Sequence, residues 1–592
     1  MIGDFLHPSL IMMGGALAVP LLHGNAKRVF MVLLPLVSLF NLLQIPHGVH
    51  LQPEFLGLSL TMVHMDKLSF VFGLIFHIVA AIGMVFALKH EGNVQHVAGL
   101  MYAGAVQGVV FAGDMLTLFL FWEALTLTAA MVIWSHSTRQ SRAAGFRYML
   151  VHAAGGLCLL FGIVLRLHET GSLDFGYIGL DNGLSSLLIF LGFGVNAAWP
   201  ALHAWLTDAY PAASPTGTVF LSAFTTKSAV YVLARAFPGA EPLIYIGAIM
   251  TAFPIFYAVI ENDLRRVLSY SLINQVGFMM VGIGIGTELA INGTCAHAFA
   301  HILYKALLFM SMGAVMHRTG KINATDLGGL YKSMPWTALF CIVGAASISA
   351  FPLTSGFVSK SLIVSAAAKE HMVLIWFTLV FASAGVFHHS GIKIPFFAFY
   401  GHDAGHRVRE APWNMLLAMG IAAFLCIGIG VYPDPLYALL PYEVTYIPYT
   451  GAHVLDQTQL LFFSALAFTL LMLSGLYPAE VRAVNLDADW FYRKGGRLGY
   501  RFFDTVLNSL NKNVERLFTA GFVPALARTA RNGAYHVACA AMLPIWVLGG
   551  KAGSIEDRKG TLRDSIDTRT VPIGLSAAAA AGLLILFFLL GR

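Results

Sequence analysis

Long apolar runs separated by short polar loops dominate the chain. A helix that spans a bilayer needs about 20 mostly apolar residues, because backbone in hydrocarbon must satisfy its own hydrogen bonds. The pattern predicts about sixteen spans: 8–23, 29–45, 68–88, 96–112, 114–134, 144–166, 184–206, 216–237, 242–260, 266–286, 290–317, 336–364, 372–400, 412–432, 459–477 and 572–591. The sequence therefore predicts an all-α, polytopic membrane protein.

Basic residues alternate from loop to loop. The loops after odd-numbered spans carry Lys27, Arg28, Lys89, Arg139, Arg142, Arg147, Arg265, Arg266, Arg318, Lys321, Lys332, Arg407 and Arg409. The loops after even-numbered spans hold few, chiefly Lys67 and Lys369. The positive-inside rule predicts an N-terminus outside the cell, in a bacterial inner membrane. The first residues carry Asp4 and lack the basic region of a cleaved signal, so we expect them to enter the first helix.

Composition agrees with a bilayer location. Of the 592 residues, 57% are hydrophobic and 11% are charged, whereas soluble proteins carry about a quarter charged residues. The net charge of +6 follows from the loops, so it indicates topology and not nucleic-acid binding. The five cysteines form no CxxC pair, and no GxGxxG or P-loop motif is present. We therefore expect no metal, no other cofactor and no soluble enzyme activity.

Ionisable residues interrupt several apolar runs. They are Glu123, Lys227, His297, His301, Lys305 and Lys393. A charge at the bilayer centre costs roughly 2.5–3.5 kcal/mol or more and is kept mainly for function. His297, His301 and Lys305 share one helix face at four-residue spacing. The alternatives are hydrogen bonding between helices and, for Lys393 and Lys360, an ammonium that reaches the membrane surface.

The order of these motifs resembles a known family. The runs FWEALTLTAAMVIW, PALHAWLTDAYPAASPTGTVFLSAFTTKSAVY, IENDLRRVLSYSLINQVGFM, AHAFAHILYKALLFMSMGAV and PLTSGFVSKSLI are similar to the antiporter-like subunits shared by respiratory complex I and Mrp-type cation/proton antiporters. The resemblance covers roughly residues 60–430. Its details are most similar to the Mrp D subunit. The polar stretch after Asp487 and the last span resemble the tail of the largest antiporter-like subunit of complex I.

The resemblance implies a fold and a set of roles. The fold would have about fourteen core helices, with two inverted five-helix repeats that each contain a broken helix. Glu123 would be the fifth-helix glutamate, Lys227 the eighth-helix lysine and Lys393 the twelfth-helix residue near the exit. His297, His301 and Lys305 would form the central relay. The chain would divide into 1–95, a translocation core at 96–400, further core helices at 401–486, and an amphipathic tail with the last span at 487–592.

One position departs from the family pattern. The family usually has a lysine on the seventh helix, where this chain reads GFGVNAAWPALHAWL and Asn196 occupies the slot. An asparagine side chain can form hydrogen bonds but does not take up a proton. We therefore expect Glu123 to be protonated more often than its counterparts, unless His203 or another basic side chain substitutes for the lysine.

Three functions stay open at this point. The first is a subunit of an Mrp-type antiporter that exchanges protons for Na⁺ or a similar ion, together with other membrane subunits. The second is a proton-pumping subunit of a complex I-like or hydrogenase-like assembly. The third is a scaffold for an ion- or bicarbonate-uptake system that has lost transport, which Asn196 favours.

Overall fold

The computed structural model describes residues 6–55, 57–90, 92–180, 183–483, 485–549, 554–566 and 573–590. Asp4 lies outside these residues. The chain forms two compact units, Met1–Asp489 and Trp490–Arg592. The first unit contains the helical bundle and every ionisable residue singled out above.

The first unit opens with six helices and a hairpin. The helices are α1 Pro8–Ala18, α2 Gly24–Leu42, α3 Lys67–Ala87, α4 Asn93–Phe111, α5 Met115–Trp134 and α6 Arg139–Thr170. Between α2 and α3, β1 Gly48–His50 pairs antiparallel with β4 Val63–Met65, and β2 Glu54–Phe55 pairs antiparallel with β3 Leu58–Ser59. The sequence pattern did not predict this hairpin, because strands of two or three residues are too short to show alternation.

The bundle continues through fourteen more helices. They are α7 Gly183–Asn196, α8 Ala204–Ala212, α9 Gly217–Ala223, α10 Thr225–Ala236, α11 Pro242–Ile260, α12 Leu264–Ile285, α13 Glu288–Thr319, α14 Pro335–Ile348, α15 Ser355–Lys369, α16 Val373–Val386, α17 Lys393–Pro395, α18 Trp413–Val431, α19 Asp434–Ala438 and α20 Gly451–Leu473. Turns of π-helix at Phe387–Ile392 and Phe396–Tyr400 flank α17. Twelve helical stretches in the described part of the chain are long and apolar enough to cross a membrane. The prediction of an all-α, polytopic membrane protein is confirmed.

Two spans predicted as continuous helices are broken. The predicted span 184–206 is α7 and the start of α8, and the predicted span 336–364 is α14 and most of α15. Each break uses backbone conformations that L-residues rarely adopt. Ala198 and Ala201 have φ of 59° and 67°, and Ala350 and Leu353 have φ of 56° and 69°. Hydropathy alone missed both breaks because their residues are mostly apolar.

The breaks belong to an internal repeat. Asp114 caps α5 and forms a β-bridge with Asp174, while Asp263 caps α12 and forms a β-bridge with Asn323. The same shift of 149 residues aligns α6 with α13, two helices of 32 residues each. With each broken pair counted as one segment, α5 is the fifth spanning segment and α12 is the tenth. Five crossings reverse direction in an alternating bundle, so the two repeats are inverted.

The two repeats meet in the centre of the first unit. The α9–α10 stretch, α12 and α13 are buried on nearly every side. A helix that is enclosed all round lies in the interior of a bundle. Polar side chains on these helices therefore lie inside the protein and away from lipid.

The second unit is helical and far more exposed. It contains α21 Asp489–Glu515, a π-helical turn at Arg516–Phe522, α22 Val523–Arg531, α23 Gly533–Leu548, α24 Ile555–Ser565 and α25 Ile573–Leu590. In α21 and α22 polar and apolar faces separate clearly, as expected of helices at an interface. The apolar run predicted at 535–548 is α23. Residues 572 and 591 of the predicted last span lie outside the described residues.

Candidate functional site

Glu123 lies between α5 and α6. Its carboxylate occupies the space beside Gly156, where an added Cβ would lie only 2.0 Å from Oε1. Oε1 is buried and accepts no hydrogen bond from any described residue. A glycine at this point of α6 is therefore what gives the carboxylate its room.

Asn196 is the last residue of α7, at the first break. It is 1% exposed, and neither atom of its amide has a hydrogen-bond partner among the described residues. His203, the alternative cation for Glu123, has its Nε2 2.9 Å from Asp487 Oδ1. That histidine is therefore already paired with an acid.

Lys227 lies at the junction between α9 and α10 and is fully buried. Its Nζ donates to Ser222 O at 2.7 Å and to Thr226 Oγ1 at 3.1 Å. The last carbonyls of a helix have no partner within that helix. The ammonium therefore satisfies the end of α9, where the backbone changes course at Phe224.

His297, His301 and Lys305 lie on one face of α13, as the sequence predicts, and all three are fully buried. The ring nitrogens of His297 lie 3.2 Å from Ser359 Oγ and 3.4 Å from Tyr304 Oη. Neither ring nitrogen of His301 and not the Nζ of Lys305 has a partner among the described residues. These atoms are free to bind water or a proton.

Two further lysines also lie at helix ends. Lys360 of α15 is 3% exposed, and its Nζ donates to Ile348 O, the last carbonyl of α14, at 3.0 Å. Lys393 is fully buried, and its Nζ donates to Val259 O at 2.6 Å and to Glu261 O at 2.8 Å, at the end of α11. The partial negative charge of a helix C-terminus favours a cation there. Neither lysine reaches the membrane surface.

Lys393 also faces an acid that the sequence reading did not single out. Its Nζ lies 2.8 Å from Glu480 Oε1, and the Glu480 side chain is 7% exposed. The resemblance placed Lys393 on the twelfth helix, and this is wrong. Lys393 lies in the thirteenth spanning segment, formed by α16 and α17, whereas the twelfth segment, formed by α14 and α15, carries Lys360.

Glu480 belongs to a segment that returns into the bundle after α20. We call residues 477–483 and 485–487 the strap. Arg482 bonds Asp326, Asn485 donates to Glu261 Oε2 at 3.0 Å, and Asp487 accepts from Tyr270 Oη at 2.7 Å. Tyr270 and Glu261 belong to the second repeat, while His203, which also bonds Asp487, belongs to the first. The strap therefore joins the two repeats, a role that its loop-like sequence does not reveal.

The central cations are close enough to act on one another. The charges of Lys227, Lys305 and Lys360 all act on His301, and Lys227 acts on Lys305. Like charges in a low-dielectric interior repel, so a proton on one group disfavours a proton on its neighbour. The arrangement can pass protons between α10, α13 and α15. Within the described residues, no three His, Cys, Asp or Glu side chains cluster as metal ligands.

The fold and this buried row of ionisable groups define a helical membrane protein of the ion-translocating class. Residues 112–385 match the family described as NADH:quinone oxidoreductase/Mrp antiporter, TM. The chain is 28% identical over 490 residues to the largest-numbered match in length, the first subunit in letter order of the Na(+)/H(+) antiporter of Alkalihalophilus pseudofirmus, covering 71% of this chain and 60% of that protein. It is 27% identical over 425 residues to hydrogenase-4 component B of Escherichia coli, covering 64% of this chain and 63% of that protein.

A solved structure shares the fold. A chain of the Mrp complex from Dietzia sp. DQ12-45-1b matches with a TM-score of 0.73 at 24% identity, over 87% of this chain and 62% of that one. The present chain thus spans about three fifths of the length of these relatives. The resemblance seen in the sequence is confirmed: the protein belongs to the antiporter-like membrane subunits shared by Mrp antiporters and complex I-like assemblies.

Proposed function

We propose that the chain is the proton-translocating subunit of an Mrp-type monovalent cation/proton antiporter. The observation that carries the proposal is the row of buried, partly unpaired bases formed by Lys227, His301 and Lys305 between the two repeats. Buried bases at bilayer depth are costly unless they serve a function. The similarity to an Na(+)/H(+) antiporter protein favours Na⁺ as the exchanged ion.

The site roles are part of the proposal. Glu123 takes up the proton, Lys227 and the His297–His301–Lys305 face pass it on, and Lys393 lies near the exit. Lys393 is held by Glu480, so its ammonium has an acid within reach when a proton arrives. We place this core in residues 96–400, with flanking helices at 1–95 and 401–486 and the appendage at 487–592.

We place the protein in a bacterial inner membrane, with its N-terminus outside, on the distribution of lysine and arginine along the loops. The exposed apolar faces of α2 and α20 fit contact with lipid or with further membrane subunits. The protein is accordingly one part of a transporter and not an enzyme in its own right.

The test uses everted vesicles from cells that carry the gene and from cells that lack it. Respiration acidifies the vesicles, and a pH-sensitive dye reports proton release when NaCl, KCl or choline chloride is added. We expect dye recovery with NaCl only where the gene is present. Equal recovery in both strains would reject antiport by this assembly.

The second candidate is a proton-pumping subunit of a complex I-like or hydrogenase-like assembly. The similarity to hydrogenase-4 component B favours it. In the same vesicles, this function predicts that the loss of the gene abolishes acidification driven by an electron donor, with no dependence on Na⁺. The third candidate, a scaffold for ion or bicarbonate uptake without transport of its own, rests on Asn196. It predicts that Glu123→Gln and Lys227→Gln leave uptake intact.

A further inference from the structure

The internal repeat identifies a base that neither the motifs nor the family pattern singles out. The shift of 149 residues that relates Gly171 to Gly320 and Asp114 to Asp263 also relates His152 of α6 to His301 of α13. His152 is fully buried, like His301. Its equivalent lies in the central row of bases, so the repeat gives the first half of the protein a buried histidine at the same place.

His152 lies next to Glu123. Residues four apart on a helix are neighbours on one face, with about 5–6 Å between their Cβ atoms. Gly156 follows His152 by four residues, and the Glu123 carboxylate occupies the space beside Gly156. The carboxylate and the imidazole therefore lie one helical turn apart on the α6 surface. A single water molecule can bridge such a gap.

The hydrogen bonds of His152 fix which nitrogen is free. Its Nδ1 lies 2.9 Å from Tyr148 O, a carbonyl that can only accept, so Nδ1 carries the hydrogen. Nε2 then holds a lone pair in the neutral ring. This atom is buried and has no partner among the described residues. A neutral imidazole with a free, buried Nε2 is ready to accept a proton.

Polar groups lead from His152 towards Lys227. The His152 ring stacks on Tyr148, with 3.9 Å between centroids. Tyr148 Oη lies 2.9 Å from Thr225 Oγ1, and Lys227 Nζ donates to Thr226 Oγ1 at 3.1 Å. The hydroxyl groups of the tyrosine and the two threonines line the way from α6 to α10.

We propose that His152 is the protonatable partner of Glu123 and substitutes for the lysine that Asn196 has replaced. The proton leaves the Glu123 carboxyl oxygen and binds Nε2, which gives a carboxylate and an imidazolium of opposite charge. Nε2 then releases the proton towards Lys227, and Glu123 takes up the next one. This inference rests on the proposed proton-translocating function.

The other charged groups around His152 are already paired. The elements packed against α6 are α5, α7 and α8. Asp208 of α8 pairs with Arg147, with 2.7 Å between Oδ2 and Nε, and His203 pairs with Asp487. Tyr148 and Tyr210 are the phenols nearby. Among the described residues of these elements, this leaves the Glu123 carboxylate as the acid available to His152.

The experiment combines labelling with flux in membranes that contain the intact assembly. Dicyclohexylcarbodiimide reacts with protonated, buried carboxyl groups, and mass spectrometry measures how much Glu123 is labelled near neutral pH. His152→Gln cannot become a cation, so the carboxylate loses its partner and the protonated fraction rises. We expect several-fold more labelling, with dye-reported flux reduced on the order of tenfold or more. His168→Gln, at the exposed end of α6, is the matched control and should change neither.

Rescue and failure are both defined. His152→Gln combined with Asn196→Lys restores a cation near Glu123, so labelling should fall back and part of the flux should return. Unchanged labelling in a folded His152→Gln protein overturns the inference, even if flux is lost. If the wild-type assembly shows no flux but labelling still shifts, the proposed function fails while the Glu123–His152 pair stands.

Discussion

The ammonium of Lys393 and the carboxylate of Glu480 lie 2.8 Å apart, although they belong to α17 and to the strap. Lys393 is fully buried and the Glu480 side chain is 7% exposed. Removal of one member of a buried pair leaves an uncompensated charge, at a typical cost of about 3–5 kcal/mol. This pair therefore ties the strap to the second repeat.

A change at Glu480 tests that tie. Glu480→Gln should lower the melting temperature of the purified protein, because Lys393 loses its counter-charge in the interior. Glu480→Leu combined with Lys393→Met should recover much of the loss, since no charge is then left buried. The control is Glu443→Gln, an exposed acid in the loop before α20. A fall in melting temperature equal to that of the control would mean that the pair contributes nothing.

Lys227 tests whether a proton or only a hydrogen bond is needed at the end of α9. Lys227→Gln keeps a donor for Ser222 O but cannot exchange a proton, and Lys227→Arg keeps the charge but does not deprotonate at accessible pH. We expect both variants to fold and to reduce flux on the order of tenfold or more in the vesicle assay. Normal flux with Lys227→Arg would show that a fixed positive charge suffices.

His301 has no partner for either ring nitrogen among the described residues. An imidazole titrates near neutral pH without special tuning. His301→Gln should therefore alter the pH dependence of flux in the neutral range, at unchanged expression. His47→Gln, at an exposed position before β1, should leave the profile as it is. An identical profile for wild type and His301→Gln would assign this histidine to packing.

Gly156 gives the Glu123 carboxylate its room. Gly156→Ala would bring a Cβ to 2.0 Å from Oε1, so the flexible Glu123 side chain must move. We expect a folded protein with reduced flux and altered carbodiimide labelling of Glu123. Gly420→Ala on α18 is the matched control, because a Cβ there meets no neighbour closer than 3.5 Å. Full flux with Gly156→Ala would show that the position of the carboxylate is not critical.

The outer contact of the strap should not respond to physiological pH. The hydrogen bond from Arg482 lowers the pKa of Asp326 below its ordinary value. The contact is therefore complete above the ordinary value of about 3.9 and is lost only as pH falls through the lowered pKa. Hydrogen exchange of the strap, corrected for intrinsic rate, should be constant from about pH 5 to about pH 9. Arg482→Ala should raise it throughout, and release of the wild-type strap within that range would contradict this account.

The sequence predicted the parts of this fold that hydropathy encodes. Long apolar runs gave the spans, and four-residue spacing placed His297, His301 and Lys305 on one face of α13. The breaks at Ala198 and Ala350 were missed as positions because alanine is as compatible with a helix as with a break. Only the resemblance implied that broken helices would occur.

Pairings between distant residues were beyond the sequence. Glu480 and Asp487 lie in a short polar segment that looks like an ordinary loop, and their partners are 87 or more positions away. Lys360 was left open between the interior and the surface, and the structure buries it. His152 could have been found from the sequence alone, had α6 been aligned with α13.

The lysines at the ends of α9, α11 and α14 have a consequence for how the protein works over many cycles. A lysine side chain that gives up its proton becomes a neutral amine, which still has two N–H groups. The carbonyls of Ser222, Val259 and Ile348 therefore keep a donor in either state. Loading and unloading change the local field but leave the helix ends in place. The scaffold can stay rigid while charge moves through it, which suits a device that is driven by voltage and concentration differences across the membrane.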